Sequence, residues 1–212
     1  MAVKDFVLTA RNLKFMDIIF CPEVNIPQGS LTFVIGESGS GKSTLLKLLN
    51  YTYTPTEGDI RYRGQSTSGM DTVELRKNVL LVSQSVFLFD GTVEDNFNQF
   101  YDYRGLPHLS NEEKRYFMEL ALAPSDLLDL CENMSGGERQ RVYLAICLSF
   151  KPDVLMLDEP TSALDQGTAF ALFENLNKFA KDNGMTLIVI SHDKLLRDRF
   201  AEYVISVERQ VG

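Results

Sequence analysis

Residues 31–50, "LTFVIGESGSGKSTLLKLLN", carry the reading that decides the fold. Leu31–Ile35 is a β-type apolar run that stops at Gly36, and residues 42–50 have the apolar spacing of a helix. The loop between them, "GESGSGKS" at 36–43, fits G-x-x-x-x-G-K-[ST]. Such a loop wraps tightly, so that the backbone of Gly36, Glu37, Ser38, Gly39, Ser40 and Gly41, with the helix start through Thr44, points amide N–H groups at phosphate oxygens. Lys42 is then expected to bridge the β- and γ-phosphates of a nucleotide, and Ser43 to ligate Mg²⁺.

Outward from this loop, strand-like apolar runs recur at Val79–Val82, at 154–157 and at Thr186–Ile190, and "PTEGDIRYRG" (55–64) reads as a turn and a short strand. Helix-patterned segments at 138–150 and 166–181 separate the later strands. Strands alternating with helices predict an α/β fold with a mainly parallel sheet covered on both faces. Residues 90–134 break the rhythm with helical pieces such as "NEEKRYFMELAL" and no convincing strand. They read as an inserted helical subdomain within one domain spanning 1–212, the core being 1–89 and 135–212.

The chain has 212 residues, 44% hydrophobic and 24% charged, enough for a sizeable core. Its net charge of −8 argues against a nucleic-acid binder working through a basic face. Cys21, Cys131 and Cys147 form no CxxC pair and read as reduced thiols of a cytosolic protein. The N-terminus lacks the apolar core of a signal peptide, and no apolar run approaches the roughly 18–20 residues that span a bilayer. Any work at a membrane would need another chain to do the spanning.

"VLMLDEP" (154–160) is an apolar strand ending in two carboxylates, an arrangement that packing alone disfavours. Asp158 is expected in the Mg²⁺ shell and Glu159 beside the attacking water as its base. A guanine-specific GTPase would carry N-K-x-D, and "NKFA" (177–180) lacks the Asp. A small-molecule kinase would want several arginines in a lid, and 90–134 offers only Arg104 and Arg115.

A second phosphate-ready stretch is "NMSGGERQRV" (133–142). Ser135 and Glu138 have capping-box spacing and would satisfy helix-start N–H groups. Gly136 and Gly137 are not explained by that, since each costs up to about 1 kcal/mol against Ala in a helix. Glycines there suit a ligand that approaches the backbone closely, and an anion drawn to free amides is the natural one.

In order along the chain stand "GESGSGKST", Gln84 in "LVSQSVFLFDGT", "MSGGERQR", "LMLDEP", "SALD" (162–165) and "SHD" (191–193). This series resembles the nucleotide-binding subunits of ATP-binding cassette (ABC) transporters over nearly the whole chain. "MSGGE" stands where that family usually has "LSGGQ". The resemblance implies a P-loop core, an N-terminal antiparallel β part and the inserted helical subdomain. It implies that Gln84 ligands Mg²⁺ or the lytic water, that Glu159 is the general base, that His192 contacts the γ-phosphate, and that Lys42 works with them. It implies two protomers head-to-tail around two Mg-ATP, with Ser135, Gly136 and Gly137 of each meeting the other chain's nucleotide and Asp165 facing the partner. The partner that follows is an integral-membrane permease, which would hold the chain on the inner face of the cell membrane.

Family members stack adenine on an aromatic residue upstream of the phosphate loop, where this chain has Asp17; Phe15 is the stacking candidate and Phe20 the runner-up. Phe87, Phe89, Phe97, Phe100, Tyr101 and Tyr103 divide between a subdomain core and a groove for a short permease helix. "FLFDGTVEDN" is similar to exporter-type ATPases, and the compact chain to the ATPase of bacterial Fet-type iron exporters. A non-transport ABC module in assembly or repair is the alternative; no coiled-coil insertion or basic arm speaks for it.

Overall fold

The structure, a computed structural model, describes residues 5–208. Nine strands run in chain order: β1 Phe6–Phe15, β2 Ile19–Pro27, β3 Leu31–Ile35, β4 Glu57–Tyr62, β5 Gln65–Ser66, β6 Val79–Val82, β7 Val154–Asp158, β8 Thr186–Ile190 and β9 Tyr203–Ser206. The helices are α1 Lys42–Leu49, α2 Thr72–Asn78, α3 Val93–Arg104, α4 Asn111–Leu120, α5 Gly136–Ser149, α6 Gln166–Asn183 and α7 Lys194–Phe200. Five strands form a parallel sheet in the order β6-β7-β8-β3-β9, and β2-β1-β4-β5 form an antiparallel one. The N-terminal antiparallel part is thus the second sheet, which also recruits β4 and β5 after the phosphate loop.

The period-2 alternation of strand side chains divides the parallel sheet between two cores. Phe33, Leu155, Leu157, Leu187 and Val189 face one way, against α5 and α6 residues such as Val142, Ile146, Leu172 and Phe173. Val34, Val154, Met156, Ile188 and Ile190 face the other way, against α1 leucines 45, 46, 48 and 49 and the inner face of the antiparallel sheet. Both parities are apolar because both faces are covered, hence the continuous runs in the sequence.

Strands at Val79–Val82 and Thr186–Ile190 stand as expected, and β7 gains Asp158. Helix α5 begins at Gly136 rather than 138, because Ser135 caps it and both glycines fall in its first turn. Between β6 and α5 the chain forms α3 and α4, each opened by a capping box, Thr92 with Asp95 and Ser110 with Glu113. Lys114 of α4, 2% exposed, reaches Glu94 of α3 at 3.2 Å and fixes their register. The only pairing found for 90–134 among the described residues is a single bridge, Thr92 to Leu130.

Candidate functional site

The site lies where the strands of the parallel sheet end. The chain leaves β3 into the phosphate loop, β6 toward Gln84, β7 at Asp158 and Glu159, and β8 at Ser191 and His192. Parallel strands present all their carboxyl ends along one edge, so four separate sequence motifs meet there. They line a cavity of about 510 Å³ with Ser38, Gly39, Gly41, Lys42, Ser43 and Thr44 on one side and Gln84, Asp158, Glu159 and His192 opposite. Ile18, Ser162 and Ile190 complete the lining.

Gly41 caps α1 with φ 95°, a left-handed conformation open to glycine. A side chain there would also crowd Ile19, whose Cβ would lie 3.3 Å from the added carbon. Lys42 is buried, and its Nζ donates to the carbonyls of Gly36 at 3.0 Å and Glu37 at 2.8 Å. The ammonium thereby holds the loop curled around itself and stands ready to exchange a carbonyl for a phosphate oxygen. The buried hydroxyl of Ser40 finds no partner within the protein.

Asp158 is 8% exposed at the end of β7. Glu159 follows with φ 53°, a left-handed backbone that costs a non-glycine residue about 1–3 kcal/mol. The turn is held by the Glu159 N–H, which donates to the Ile190 carbonyl at 3.0 Å. It brings the Glu159 carboxylate to 3.2 Å from His192 Nε2. Burial pushes the Glu159 carboxyl above the usual carboxylate range, with Asp158 adding to the rise and His192 and Lys42 opposing it. A carboxyl raised in this way, facing an open cavity, has the character of a general base.

Ser135 accepts from the Glu138 N–H at 3.3 Å, and Glu138 Oε2 accepts from the Ser135 N–H at 2.8 Å. The Ser135 hydroxyl, and after it the Ser135 N–H, hold the Glu138 carboxyl below its ordinary range. Ser135, Gly136 and Gly137 do not line their own chain's cavity. A carbon added to Gly136 would meet nothing within 4 Å, whereas one added to Gly137 would lie 3.0 Å from the Ala163 Cβ. The two glycines therefore have different reasons: Gly137 lets α5 close on the "SALD" loop of its own chain, and only Gly136 faces open space. Asp165 caps α6, accepting from the Thr168 N–H at 3.0 Å.

Phe15 does not line the cavity; it stacks on Tyr53, ring centroids 5.2 Å apart and planes 4° from parallel. Phe20 is exposed on β2 and is likewise outside the lining. The turn after β1 instead presents Ile18, which no motif marked. Among the later aromatics Phe97 and Tyr101 are core, while Phe87 at 65% and Tyr103 at 69% are exposed. Phe89 packs against Phe87, Phe100 and Tyr103 and joins them in a surface cluster.

The family described as ABC transporter matches residues 22–162. ABC transporter I family member 17 of Arabidopsis thaliana is 38% identical over 185 residues, covering 87% of this chain and 70% of that protein. Protein STAR1 of Oryza sativa subsp. japonica is 37% identical over 183 residues, covering 86% of this chain; the chain spans 53% of its length. Among solved structures, the dimeric post-hydrolysis state of the ATP-binding cassette MJ0796 bound to ADP and Pi superposes with TM-score 0.81 at 27% identity, over 96% of this chain and 97% of that one. A bacterial Atm1-family ABC exporter with ATP bound gives TM-score 0.85 at 26% identity, over 100% of this chain and 39% of that one.

Proposed function

The chain belongs to the ABC transporter ATP-binding family, and from that premise we propose that it is an ATP-hydrolysing transporter subunit that closes as a homodimer around two Mg-ATP and drives a separate membrane permease. The observation that carries this is the convergence of Lys42, Ser43, Gln84, Asp158, Glu159 and His192 on one cavity while Ser135 and Gly136 lie outside it.

The donor set fits Mg-ATP. Ser43, Gln84 and Asp158 offer hard oxygen ligands to Mg²⁺, and Lys42 with the loop amides of 36–44 offers donors to the phosphates. Bound there, Mg²⁺ would neutralise charge on the phosphate oxygens. Lys42 trades its carbonyl partners for phosphate. Glu159 takes the proton of the attacking water, and His192 at 3.2 Å holds the carboxylate in place. Gly36, Glu37, Ser38, Gly39, Ser40, Gly41 and Thr44 line or shape the phosphate cradle. For the adenine contact, Ile18 in the cavity lining joins Phe15, which lies outside the lining with Tyr53 stacked on one face, as a candidate.

Ser135 and Gly136 act on the partner's nucleotide through the free amides of the α5 N-terminus. Gly137 serves this indirectly, by seating α5 against Ala163. The exposed cluster around Phe87, Phe89 and Tyr103 takes a short apolar helix of the permease. Among the described residues no helix is long and apolar enough to cross a membrane. The exporter-style run "FLFDGTVEDN" supports an exporter, with metal ions such as iron as the cargo class.

Purified protein with Mg-ATP should release phosphate, and Glu159→Gln should trap an ATP-bound dimer visible by size-exclusion chromatography. Absence of both would sink the proposal. Co-purification with a multi-span membrane protein tests the permease assignment.

A further inference from the structure

Between the segment after Gln84 and the α5 N-terminus stands one forked side chain to which no role has been given. Arg139 lies on α5 one turn after Ser135, and its guanidinium reaches two carbonyls far apart in sequence. Nη1 donates to the Cys131 carbonyl at 2.6 Å, and Nη2 donates to the Leu88 carbonyl at 3.2 Å. Cys131 opens the 3₁₀ turn Cys131–Asn133 that leads into Ser135. Leu88 is four residues past Gln84, which lines the nucleotide cavity, and is flanked by Phe87 and Phe89 of the exposed aromatic cluster.

The two strands of backbone that Arg139 bridges are themselves stiff. Asn96, fully buried, accepts from the Phe89 N–H at 2.8 Å and donates to the Phe89 carbonyl at 3.1 Å and to the Cys131 sulfur at 3.4 Å. The Cys131 N–H donates to the Gly91 carbonyl at 2.9 Å, and the Val93 N–H to Asp129 at 3.0 Å. Neither of these ties touches α5. Farther along α5, Tyr101 of α3 bonds Ser149 and Phe100 packs on Tyr143, whereas Arg139 ties the first turns of α5, next to Ser135, directly to the Leu88 and Cys131 backbone.

We propose that Arg139 is a positioning residue that makes the 84–89 segment and the α5 N-terminus move as one piece, so that a change at Gln84 or at the aromatic cluster is delivered to Ser135. The device needs the fork: two carbonyls are held by two nitrogens of one rigid plane, which an ammonium on a single stem cannot reproduce. This inference rests on the functional reading above, since Ser135 matters only if it meets nucleotide.

The test is amide exchange with and without Mg-ATP, read by mass spectrometry on the wild type, Arg139→Met and Arg139→Lys. In the wild type, ATP should slow exchange at both 84–89 and 135–138. In Arg139→Met the first segment should still respond and the second should not. Turnover should fall about tenfold in kcat with KM for ATP within about twofold, because ground-state binding survives and alignment of Ser135 is lost. Arg139→Lys, which keeps the charge and guards against a misfolded Met variant, should behave like it. Paired responses in either variant, or full rescue by lysine, would overturn the proposal while leaving the ATPase intact. A wild type that neither binds nor turns over Mg-ATP would instead remove the functional reading on which it stands.

Discussion

Gly136 and Gly137 are adjacent and chemically identical, yet the structure requires that alanine at the two positions fail in opposite ways. At Gly137 an added methyl lies 3.0 Å from the Ala163 Cβ. Carbon atoms pack best about 3.5–4.0 Å apart, so one side must yield by a few tenths of an ångström. Overpacking of this kind costs about 1–3 kcal/mol, offset by under about 1 kcal/mol of helix propensity in a first turn. The net is a loss of about 0–2 kcal/mol, or up to about 8 °C in Tm for a chain this long. At Gly136 nothing lies within 4 Å, so only the propensity gain remains and stability should hold or rise slightly. Activity should run against stability. Gly136→Ala puts its methyl where the partner's phosphate approaches, and steady-state ATPase should fall about a hundredfold, as expected for misplacement of the reacting groups.

Thermal melts and phosphate release on the two single variants and on Gly137→Ala with Ala163→Gly decide the matter. The double variant removes the clash and should recover about 1–2 kcal/mol relative to the sum of its parts, the coupling expected of residues in contact. Zero coupling would show that Ala163 is not the wall Gly137 avoids. Full ATPase activity in Gly136→Ala would refute the claim that a phosphate is brought to that open amide.

Other outcomes follow from the same geometry. Ser135→Arg should bind ATP nearly normally but not hydrolyse it, and mixing it with Lys42→Ala chains should restore one normal composite site per heterodimer, because the intact Lys42 loop of one chain then meets the intact Ser135 of the other while both defects fall in the second site; a mixture that recovers no phosphate release would contradict trans pairing. The raised Glu159 carboxyl means that the folded state holds its proton to higher pH than the unfolded chain, so ionising it as pH rises erodes stability. Glu159→Gln should therefore melt higher than wild type at pH 7–8, with the gain gone below the unfolded carboxyl's pKa of about 4.3, and a gain independent of pH would deny that burial sets the shift. The same raised carboxyl places the acid limb of the ATPase pH profile above the ordinary carboxylate range. Glu94→Gln should cost about 1–3 kcal/mol by urea denaturation, because it takes the directly bonded carboxylate from the Lys114 ammonium, buried at 2% exposure, and leaves it Asn111 and the more distant charge of Asp95.

How much of the site could be read in advance depends on how local its causes are. The phosphate loop was legible because its shape is dictated by consecutive residues, and the carboxylates after β7 because a buried strand has no packing reason to end in "DE". Convergence of four motifs followed from parallel strands sharing one carboxyl edge. Helix α2, at seven residues, is too short to show a period, and α3 hides its apolar face among "VEDNFNQFYDYR". The left-handed turn at Glu159 depends on the Ile190 carbonyl, 31 positions on, and leaves no trace in residue type.

The details that sequence left open share one cause: they are set by a side chain's neighbour in space rather than by its neighbours in sequence. Phe15 has the composition of a base platform, and Tyr53 stacks on one of its faces, while the turn before β2 gives the cavity Ile18. Gly137 has the composition of an anion contact, and within its own chain its missing side chain also accommodates Ala163. Nothing in the residues around Arg139 announces its partner, a carbonyl 51 residues upstream. In each case residue type announces a capacity, stacking, close approach or forked donation, and the tertiary fold selects which partner uses it. A motif is therefore strongest evidence where its partner is a ligand common to the family, such as a phosphate. It is weakest where the partner is another part of the same chain, because that partner changes with every rearrangement of the surrounding loops.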